Sequence, residues 1–289
     1  MPPVAVVSDT TGYLPPELVA ERGIHLVPLY VNFGAAQTVS EDRMGDLDTF
    51  YDELRSSDEL PTTSGPSVED FVAVYEPLLA GGGEVVSVHL SGGLSRTVAA
   101  AQEAAERLEA RGGGGDRVHV VNSTTAGGGL GLMALVAARA AEEATDAAGV
   151  VERVRDARAE LKTWLALDTL EFLKRSDRAG AAKSWIGSTM GVKPILTVES
   201  EIVAIERVRT DDRVSERLVD YARQRAASGA SAWFVQHVQA PEQAAQLTAA
   251  CREVFGREPE FLSEIGPVIG VHTGPRMLAL GAMPPHHLD

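Results

Sequence analysis

Hydroxyl-rich segments occur at four places in the sequence where an anion could bind. They cover residues 8–11, 62–67, 91–97 and 122–125. Three of them follow a predicted strand, and ligands of parallel α/β sheets lie beyond the carboxyl ends of the strands. Hydroxyl groups and the free N–H groups of helix N-termini donate hydrogen bonds to an oxyanion, and the helix dipole adds a favourable potential. The sequence therefore predicts a carboxylate site among these segments.

Helix capping is a simpler explanation for two of these serines. Ser67 and Asp70 have the spacing of a capping box, in which two residues satisfy free N–H groups at the start of a helix. We therefore interpret Ser67 as a cap. Ser95 precedes a helix predicted over residues 97–110, and the residues alone leave capping and ligand contact equally open.

The elements that must position these segments alternate between short β-branched runs and Ala/Glu/Arg-rich stretches with helical period. This alternation is typical of parallel α/β sheets. Strands are predicted over residues 4–7, 25–31, 84–89 and 117–121. Helices are predicted over residues 15–22, 67–79, 97–110 and 130–145.

The pattern changes after a helix predicted over residues 150–161. Further strands are predicted at residues 163–167, 194–198, 202–209, 232–238, 268–272 and 277–280, with a tight turn at 199–201. Helices are predicted at residues 168–175, 179–191, 212–227 and 241–255. We therefore expect an α/β protein with a mostly parallel N-terminal domain, residues 1–160, and a mixed-sheet C-terminal domain, residues 161–289.

Composition excludes several classes of function. The 289 residues include 26 Lys and Arg against 41 Asp and Glu, which gives a net charge of −15. The negative electrostatic potential of a protein with this charge repels nucleic acid and anionic lipid surfaces. Cys251 is the one cysteine, so no internal disulfide forms, and we expect a packed, inert thiol. The N-terminus lacks a signal-peptide pattern and no apolar run is long enough to span a bilayer, so the expected compartment is the cytoplasm.

Six segments, taken together, resemble the DegV family. They are residues 7–11 (Val-Ser-Asp-Thr-Thr), 63–67 (Thr-Ser-Gly-Pro-Ser), 94–97, 170–178, 193–196 (Lys-Pro-Ile-Leu) and 266–275 (Gly-Pro-Val-Ile-Gly-Val-His-Thr-Gly-Pro). They occur in the order that the family shows and extend over nearly the whole chain. The resemblance implies a two-domain α/β protein that buries a fatty acid between its domains.

The same resemblance implies a partner. In the FakB subunits of bacterial fatty acid kinase, a separate ATP-binding kinase phosphorylates the bound acid to an acyl phosphate. The family member contributes no catalytic residue and binds no ATP. We therefore expect a non-catalytic fatty-acid-binding protein without cofactor or metal, which presents the carboxylate of its cargo to such a kinase.

Carried over residue by residue, the resemblance assigns the carboxylate contacts to Thr63, Ser95 and His272. His272 lies between two glycines, and as an imidazolium it would add a charge-assisted hydrogen bond. Arg178 is assigned to a surface loop that serves phosphotransfer with the kinase. Arg96 is included as a further carboxylate contact, although a side chain of this length would also narrow the mouth of the site.

The sequence departs from the family pattern at several of these positions. Arg96 stands where the family usually has glycine, and Gly65 replaces a common glutamine. Ser176-Asp177 replaces a common Gly-Gly pair, and Arg276 replaces a glycine. These departures lie in the loops that we expect to contact the carboxylate of the fatty acid and the kinase.

Parts of the sequence are also consistent with three other functions. A serine acyl hydrolase would use Ser95 as nucleophile and His272 as base, but Thr97 replaces the second glycine of a G-x-S-x-G elbow. A nicotinamide-binding oxidoreductase would use the glycines at 129 and 131, yet the chain that follows them is predicted to be helical. A fatty acid carrier or sensor without a kinase needs the same pocket, so the sequence does not separate it from the kinase-coupled function.

Overall fold

The computed structural model describes residues 4–34, 37–57, 59–143, 146–176, 178, 182 and 191–289. Within these residues the strands are three to eight residues long. They are β1 (Val4–Asp9), β2 (Ile24–Val27), β3 (Tyr30–Phe33), β4 (Gln37–Ser40), β5 (Thr62–Ser64), β6 (Glu84–His89), β7 (Val118–Asn122), β8 (Lys162–Ala166), β9 (Lys193–Glu199), β10 (Glu201–Val208), β11 (Ala232–Val238), β12 (Phe261–Glu264) and β13 (Met277–Met283).

The helices mostly connect these strands and pack on the sheets. They are α1 (Pro16–Glu21), α2 (Leu47–Ser56), α3 (Val68–Ala80), α4 (Thr97–Ala110), α5 (Gly128–Glu142), α6 (Ala147–Glu160), α7 (Glu171–Arg175), α8 (Asp211–Ala227), α9 (Pro241–Phe255) and α10 (Pro267–Thr273). Among the described residues, no helix combines the length and the apolar character that a bilayer crossing requires. The predicted helix at 179–191 lies outside the described residues except for single positions.

The first sheet is parallel, in the order β2-β1-β6-β7. Its central strands are almost completely buried, as expected for a parallel sheet covered on both faces. The carboxyl ends of β1, β6 and β7 meet at one edge, because Asp9, His89 and Asn122 end neighbouring strands. The parallel N-terminal sheet predicted from the sequence is therefore confirmed.

A small antiparallel sheet, in the order β4-β3-β5, was not predicted. One strand had been expected over residues 25–31, but the chain breaks at Pro28, and β2 and β3 belong to different sheets. Proline has no N–H to donate to a sheet, so a break at this position is physically reasonable. The small sheet brings Thr63 on β5 beside Val31 on β3.

The second sheet is mixed, in the order β10-β9-β8-β13-β11-β12. Strands β9 and β10 form an antiparallel hairpin, and Ser200 at its turn has a left-handed φ of 66°. Only β11 and β12 are parallel neighbours in this sheet. The mixed C-terminal sheet and the hairpin agree with the sequence-based prediction, and the chain folds as a two-domain α/β protein.

The strand predicted at residues 268–272 is wrong, because these residues belong to helix α10. The run Val268-Ile269-Gly270-Val271 is short and apolar, and such a run does not distinguish a strand from a buried helix. Pro267 occupies the first turn of the helix, where proline is favoured because its missing N–H would have no partner there. His272 consequently lies in the last turn of a helix.

Helix α5 packs between the two larger sheets. It contacts β1 and β6 of the first sheet and β11 and β13 of the second. Its residues are buried around most of the circumference, which identifies a core helix rather than a surface helix. Gly131 allows this packing, since an added Cβ would lie 3.1 Å from the backbone oxygen of Gly12.

Helix α6, which contacts strands of the first sheet, ends at Glu160, and β8, the first strand of the second sheet along the chain, begins at Lys162. One hydrophobic cluster nevertheless includes side chains from both domains, among them Val6, Leu130 and Phe234. The domain limits at residues 160 and 161 stay a prediction.

Candidate functional site

A cavity of about 340 Å³ lies between the two domains. Its walls come from β5 and the β6–α4 loop of the first domain and from β8, β11, β13 and α10 of the second. Most of the lining is apolar, including Leu90, Leu165, Phe234, Ile269 and Met277. Small-molecule pockets typically have volumes of about 300–1,000 Å³ with a few placed polar groups, and this cavity falls at the small end of that range.

All five residues that the sequence analysis selected line this cavity. They are Thr63, Ser95, Arg96, Arg178 and His272. Thr63 and His272 are 209 positions apart in the sequence, yet the Thr63 Oγ1 and His272 Nε2 atoms are 2.8 Å apart. The structure therefore collects hydroxyl, imidazole and guanidinium groups in the wall of an otherwise apolar cavity.

His272 is held on α10 as a neutral imidazole. Burial lowers the pKa of its side chain to about 4, and the neighbouring Arg178 guanidinium adds to the effect. Near neutral pH the ligand-free protein therefore holds this ring uncharged, and the charge-assisted hydrogen bond considered in the sequence analysis would require the imidazolium form. Among the described residues, the buried Nδ1 atom has no hydrogen-bond partner, so a bound group could satisfy it at little cost.

Ser95 directly precedes the N-cap residue of α4. Its hydroxyl accepts a hydrogen bond from the N–H of Thr97, the first residue of α4, at 3.3 Å, and it also lies 2.8 Å from the Thr97 hydroxyl. Ser95 lines the cavity as well. Gly65 packs beside this pair, since a Cβ there would lie 3.0 Å from Thr97 Oγ1. Ser67, in contrast, forms the predicted capping box with Asp70.

The cluster also borders the outside of the protein. A hollow of about 560 Å³, lined partly by exposed residues such as Glu59 and Thr62, shares Thr63, Arg178 and His272 with the cavity. Arg178 is half-buried, and its N–H donates to the backbone oxygen of Leu173. Arg178 thus contacts the cavity as well as the hollow, whereas the sequence had placed it on a partner loop alone.

The remaining departures from the family pattern lie at other places. Arg96 is exposed and occupies the N-cap position of α4, so its side chain lies at the outer rim of the cavity. Arg276 is exposed and pairs with Asp211 at 2.8 Å. Asp177 lies outside the described residues.

Helix α10 is anchored at its N-terminus by buried groups of the first domain. The Glu41 carboxylate accepts hydrogen bonds from the Tyr13 hydroxyl at 2.8 Å and the Val268 N–H at 3.3 Å. The Tyr13 hydroxyl in turn accepts from the Ile269 N–H at 3.1 Å. Glu41 and Tyr13 therefore satisfy free N–H groups at one end of the helix that carries His272 at the other. The sequence analysis did not identify either residue.

The hydroxyl-rich segments after β1 and β7 have structural roles. Asp9 accepts hydrogen bonds from the N–H groups of Thr11 and Leu90, and thereby joins the ends of two neighbouring strands. The Thr124 oxygen accepts from the Ser200 N–H at 2.9 Å and so joins the two domains. Neither Asp9 nor Thr124 lines the cavity. Of the four hydroxyl-rich segments predicted to bind an anion, two, residues 62–67 and 91–97, therefore contribute to the cavity lining.

The geometry does not support a serine hydrolase at this cavity. Ser95 pairs with Thr97, and His272 pairs with Thr63. Within the part of the chain that the structure describes, no hydrogen bond joins Ser95 to His272. A nucleophile and its general base need such contact, so the elbow predicted as an alternative lacks its base.

A Ser–His–Asp series does occur in the core of the first domain. Ser87 Oγ lies 2.6 Å from His89 Nε2, and His89 Nδ1 lies 3.0 Å from Asp9 Oδ2. The Tyr75 hydroxyl donates to Ser87 at 2.7 Å. Ser87, His89 and Tyr75 have no exposed surface, so a substrate has no access, and the series is a buried polar network.

Other residues of the cavity wall were not found from the sequence. Gln236 on β11 is buried among apolar neighbours, and its Nε2 donates to the Gly12 oxygen at 3.0 Å. The presence of a polar residue, Gln236, within the apolar run of β11 could have been noticed in the sequence. The sequence alone gives no indication, however, that the neighbours of Gln236 enclose a cavity.

Comparison with known proteins gives the same family along the whole chain. The model of the DegV family of uncharacterised proteins matches residues 3–285. The chain is 30% identical over 280 residues to protein DegV of Bacillus subtilis, covering 96% of this chain and 98% of that one. It is 35% identical over 282 residues to a DegV domain-containing protein of Streptomyces coelicolor, covering 96% and 97%.

Solved structures agree with this assignment. A DegV family protein of Thermus thermophilus, described by its fatty acid binding, is 31% identical with a TM-score of 0.88, covering 98% of this chain and 99% of that one. DegV of Bacillus subtilis, described as a fatty acid binding protein, is 30% identical with a TM-score of 0.86, covering 98% and 100%. Fold and sequence therefore agree: this chain belongs to the DegV family.

Proposed function

We propose that this protein binds one long-chain fatty acid and presents its carboxylate to an ATP-dependent kinase, without catalysing a reaction itself. The observation that carries the proposal is the form of the cavity. An apolar space between the domains has Thr63, Ser95 and His272 in its wall, and Thr63 and His272 also border an open hollow. The fatty acid binding described for the Thermus and Bacillus relatives supports the same cargo.

The chemistry of the cavity divides the binding free energy between the two ends of such a ligand. Burying ~10 methylene groups contributes ~8 kcal/mol before the costs of ordering, at ~0.8 kcal/mol each. One hydrogen bond to a charged group contributes ~1.5–3 kcal/mol net. The apolar tail therefore supplies most of the affinity, and the polar cluster determines where the carboxylate stops.

Presentation to a kinase requires that the carboxylate be reachable from outside. The hollow beside Thr63 and His272 gives a phosphate donor a path to that end of the cavity. Arg178 borders the same hollow, and a guanidinium there suits an approaching phosphoryl group because it offers planar, charge-assisted hydrogen bonds.

The cargo can be identified on protein purified from bacteria. We expect denaturing extraction and mass spectrometry to find about one fatty acid per chain, and delipidated protein to bind added fatty acid with the same stoichiometry. Extracts without fatty acid, combined with no binding of added acid to folded delipidated protein, would falsify the cargo assignment.

Catalysis by the protein alone is tested separately. Incubation with ATP and Mg²⁺, or with a p-nitrophenyl ester, should release no product above a Ser95→Ala control. Addition of a fatty acid kinase should then yield acyl phosphate from the bound acid. Ester cleavage that depends on Ser95 would establish a hydrolase instead, and lack of acyl phosphate with an active kinase would leave a carrier as the function.

A further inference from the structure

Glu160, His286 and His287 form a cluster of potential metal-ligating side chains outside the cavity lining. One carboxylate oxygen and one nitrogen of each imidazole lie within 4.8 Å of one another. Glu160 Oε2 is 2.7 Å from His287 Nε2 and 3.8 Å from His286 Nε2. None of the three residues lines the cavity, so the cluster is independent of the proposed function.

The two histidines are held in place although they are near the end of the chain. They lie in a 3₁₀ turn, Pro285–His287, and Arg153 Nη2 donates to their backbone oxygens at 3.3 and 3.4 Å. The His287 side chain is only 5% exposed. The sequence analysis expected no metal site, but the turn that carries the two histidines is packed against the protein.

Glu160 is fixed from the other side. It is the last residue of α6, and its backbone oxygen accepts a hydrogen bond from Arg225 Nη2 at 2.6 Å. The charge of Arg153, which donates to the histidine turn, is offset by Glu143 at 3.1 Å. The ligand atoms are therefore positioned by separate, anchored parts of the chain.

The carboxylate oxygen and the two imidazole nitrogens of this cluster indicate which metal ions it would bind. Two imidazole nitrogens with one carboxylate oxygen suit Zn²⁺ and similar transition ions, whereas Mg²⁺ and Ca²⁺ prefer oxygen ligands. The side chains of Glu160 and His286 are 48% and 66% exposed, so solvent can reach the ion and supply a fourth ligand. We propose that Glu160, His286 and His287 bind one divalent transition-metal ion of the zinc type.

Such an ion would join two parts of the chain that are distant in sequence. Glu160 directly precedes the segment where the chain passes into the second domain, while the histidines lie near the C-terminus. Binding to the folded state alone raises the free energy of unfolding. Zinc should therefore raise the melting temperature of the protein.

The test uses the full chain without an affinity tag and titrates it with ZnCl₂ in isothermal calorimetry, with MgCl₂ as a second probe. We expect one Zn²⁺ per chain and no comparable Mg²⁺ binding. His286→Ala and Glu160→Gln should each lower the Zn²⁺ affinity by about tenfold or more, as loss of ligand-shell groups does. His25→Ala, at an exposed position on β2, is the matched control and should bind as the parent does.

A thermal melt distinguishes the site from a folding defect. His286 is exposed, so His286→Ala should keep the metal-free melting temperature but lose the increase that Zn²⁺ produces. Unchanged Zn²⁺ affinity in both His286→Ala and Glu160→Gln, or equal loss in His25→Ala, would overturn the proposal.

Discussion

The carboxylate of Glu41 accepts a hydrogen bond from the backbone N–H of Val268 at 3.3 Å, although the two residues are 227 positions apart. This contact joins the first domain to the N-terminus of helix α10. A carboxylate at a helix N-terminus satisfies free N–H groups and interacts favourably with the helix dipole. Because His272 lies in the last turn of the same helix and lines the cavity, a buried acid of one domain helps to position a cavity residue carried by the other.

Glu41→Gln is expected to remove a pH dependence of stability. Burial raises the pKa of the Glu41 carboxyl from 4.5 to about 7, so between these pH values the folded protein keeps a proton that the unfolded chain has lost. The stability from this group is fully present below pH 4.5 and is lost as the pH rises through about 7. Urea unfolding of both proteins across this range measures the difference, with exposed Glu253→Gln as control. Parallel stability curves for parent and Glu41→Gln would contradict the assignment.

Gly270→Ala is expected to displace α10. An added Cβ would lie 2.1 Å from the Tyr51 hydroxyl, which donates to the Ile265 oxygen at 3.0 Å. Overpacking of this kind costs ~1–3 kcal/mol, so the melting temperature and the fatty acid affinity should both fall. Gly45→Ala is the matched control, because an added Cβ there meets nothing within 4 Å. Equal behaviour of the two variants would show that α10 adjusts freely.

Ser95→Ala is expected to weaken fatty acid binding without abolishing it. The change removes one hydrogen bond to the carboxylate, worth ~1–3 kcal/mol, which corresponds to roughly a 5–150-fold increase in Kd. Fatty acid titration of delipidated protein measures this loss. Ser215→Ala on α8, outside the cavity lining, should leave Kd unchanged. If Ser95→Ala binds fatty acid as tightly as the parent, the role of Ser95 is limited to its hydrogen bond at the start of α4.

Arg178→Ala is expected to affect phosphotransfer more than cargo binding. We expect a smaller change in the fatty acid Kd than Ser95→Ala causes, but a drop of at least ~10-fold in acyl-phosphate formation with a kinase, as when a positioned cation is lost. Arg213→Ala, exposed on α8, is the matched control. A loss of binding as large as that of Ser95→Ala would assign Arg178 to the cargo site.

The His272 imidazole is expected to stay neutral from pH 5 upward in the ligand-free protein, since burial lowers its pKa to about 4. NMR titration of the ring nitrogens measures this directly. Because Arg178 is the second cause of the lowered pKa, Arg178→Ala should raise it, yet burial should keep it below 6.5. A ring that titrates near 6.5 would show that His272 is more solvated than the structure indicates.

Elements with strong local signals were predicted well from the sequence. The bounds of α4, β11 and α9 agree with the prediction, because helical period, a long β-branched or aromatic run, and a proline at a helix start are local features. The short strands β4, β5 and β12 were missed. They have three or four residues each and are stabilised by pairing with distant strands, which the sequence does not display.

The head-group residues were predicted through family resemblance rather than through spacing. No local pattern connects Thr63 with His272, which approach each other only because β5 and α10 pack together. The charge state of His272 was not predictable from the sequence for a related reason. A pKa depends on burial and on neighbours such as Arg178, and both arise only when the two domains enclose the cavity.

Strand β5 carries Thr63 and is three residues long at the edge of the small sheet, paired on one side with β3 alone. Elements with so few backbone partners open with much lower free energy than a central strand such as β6. Thr63, the proposed carboxylate contact, therefore belongs to a part of the fold that can open while the rest remains folded. On the proposed function, opening of these three residues would limit the dwell time of a bound acid, so that a stable protein could still exchange its cargo quickly.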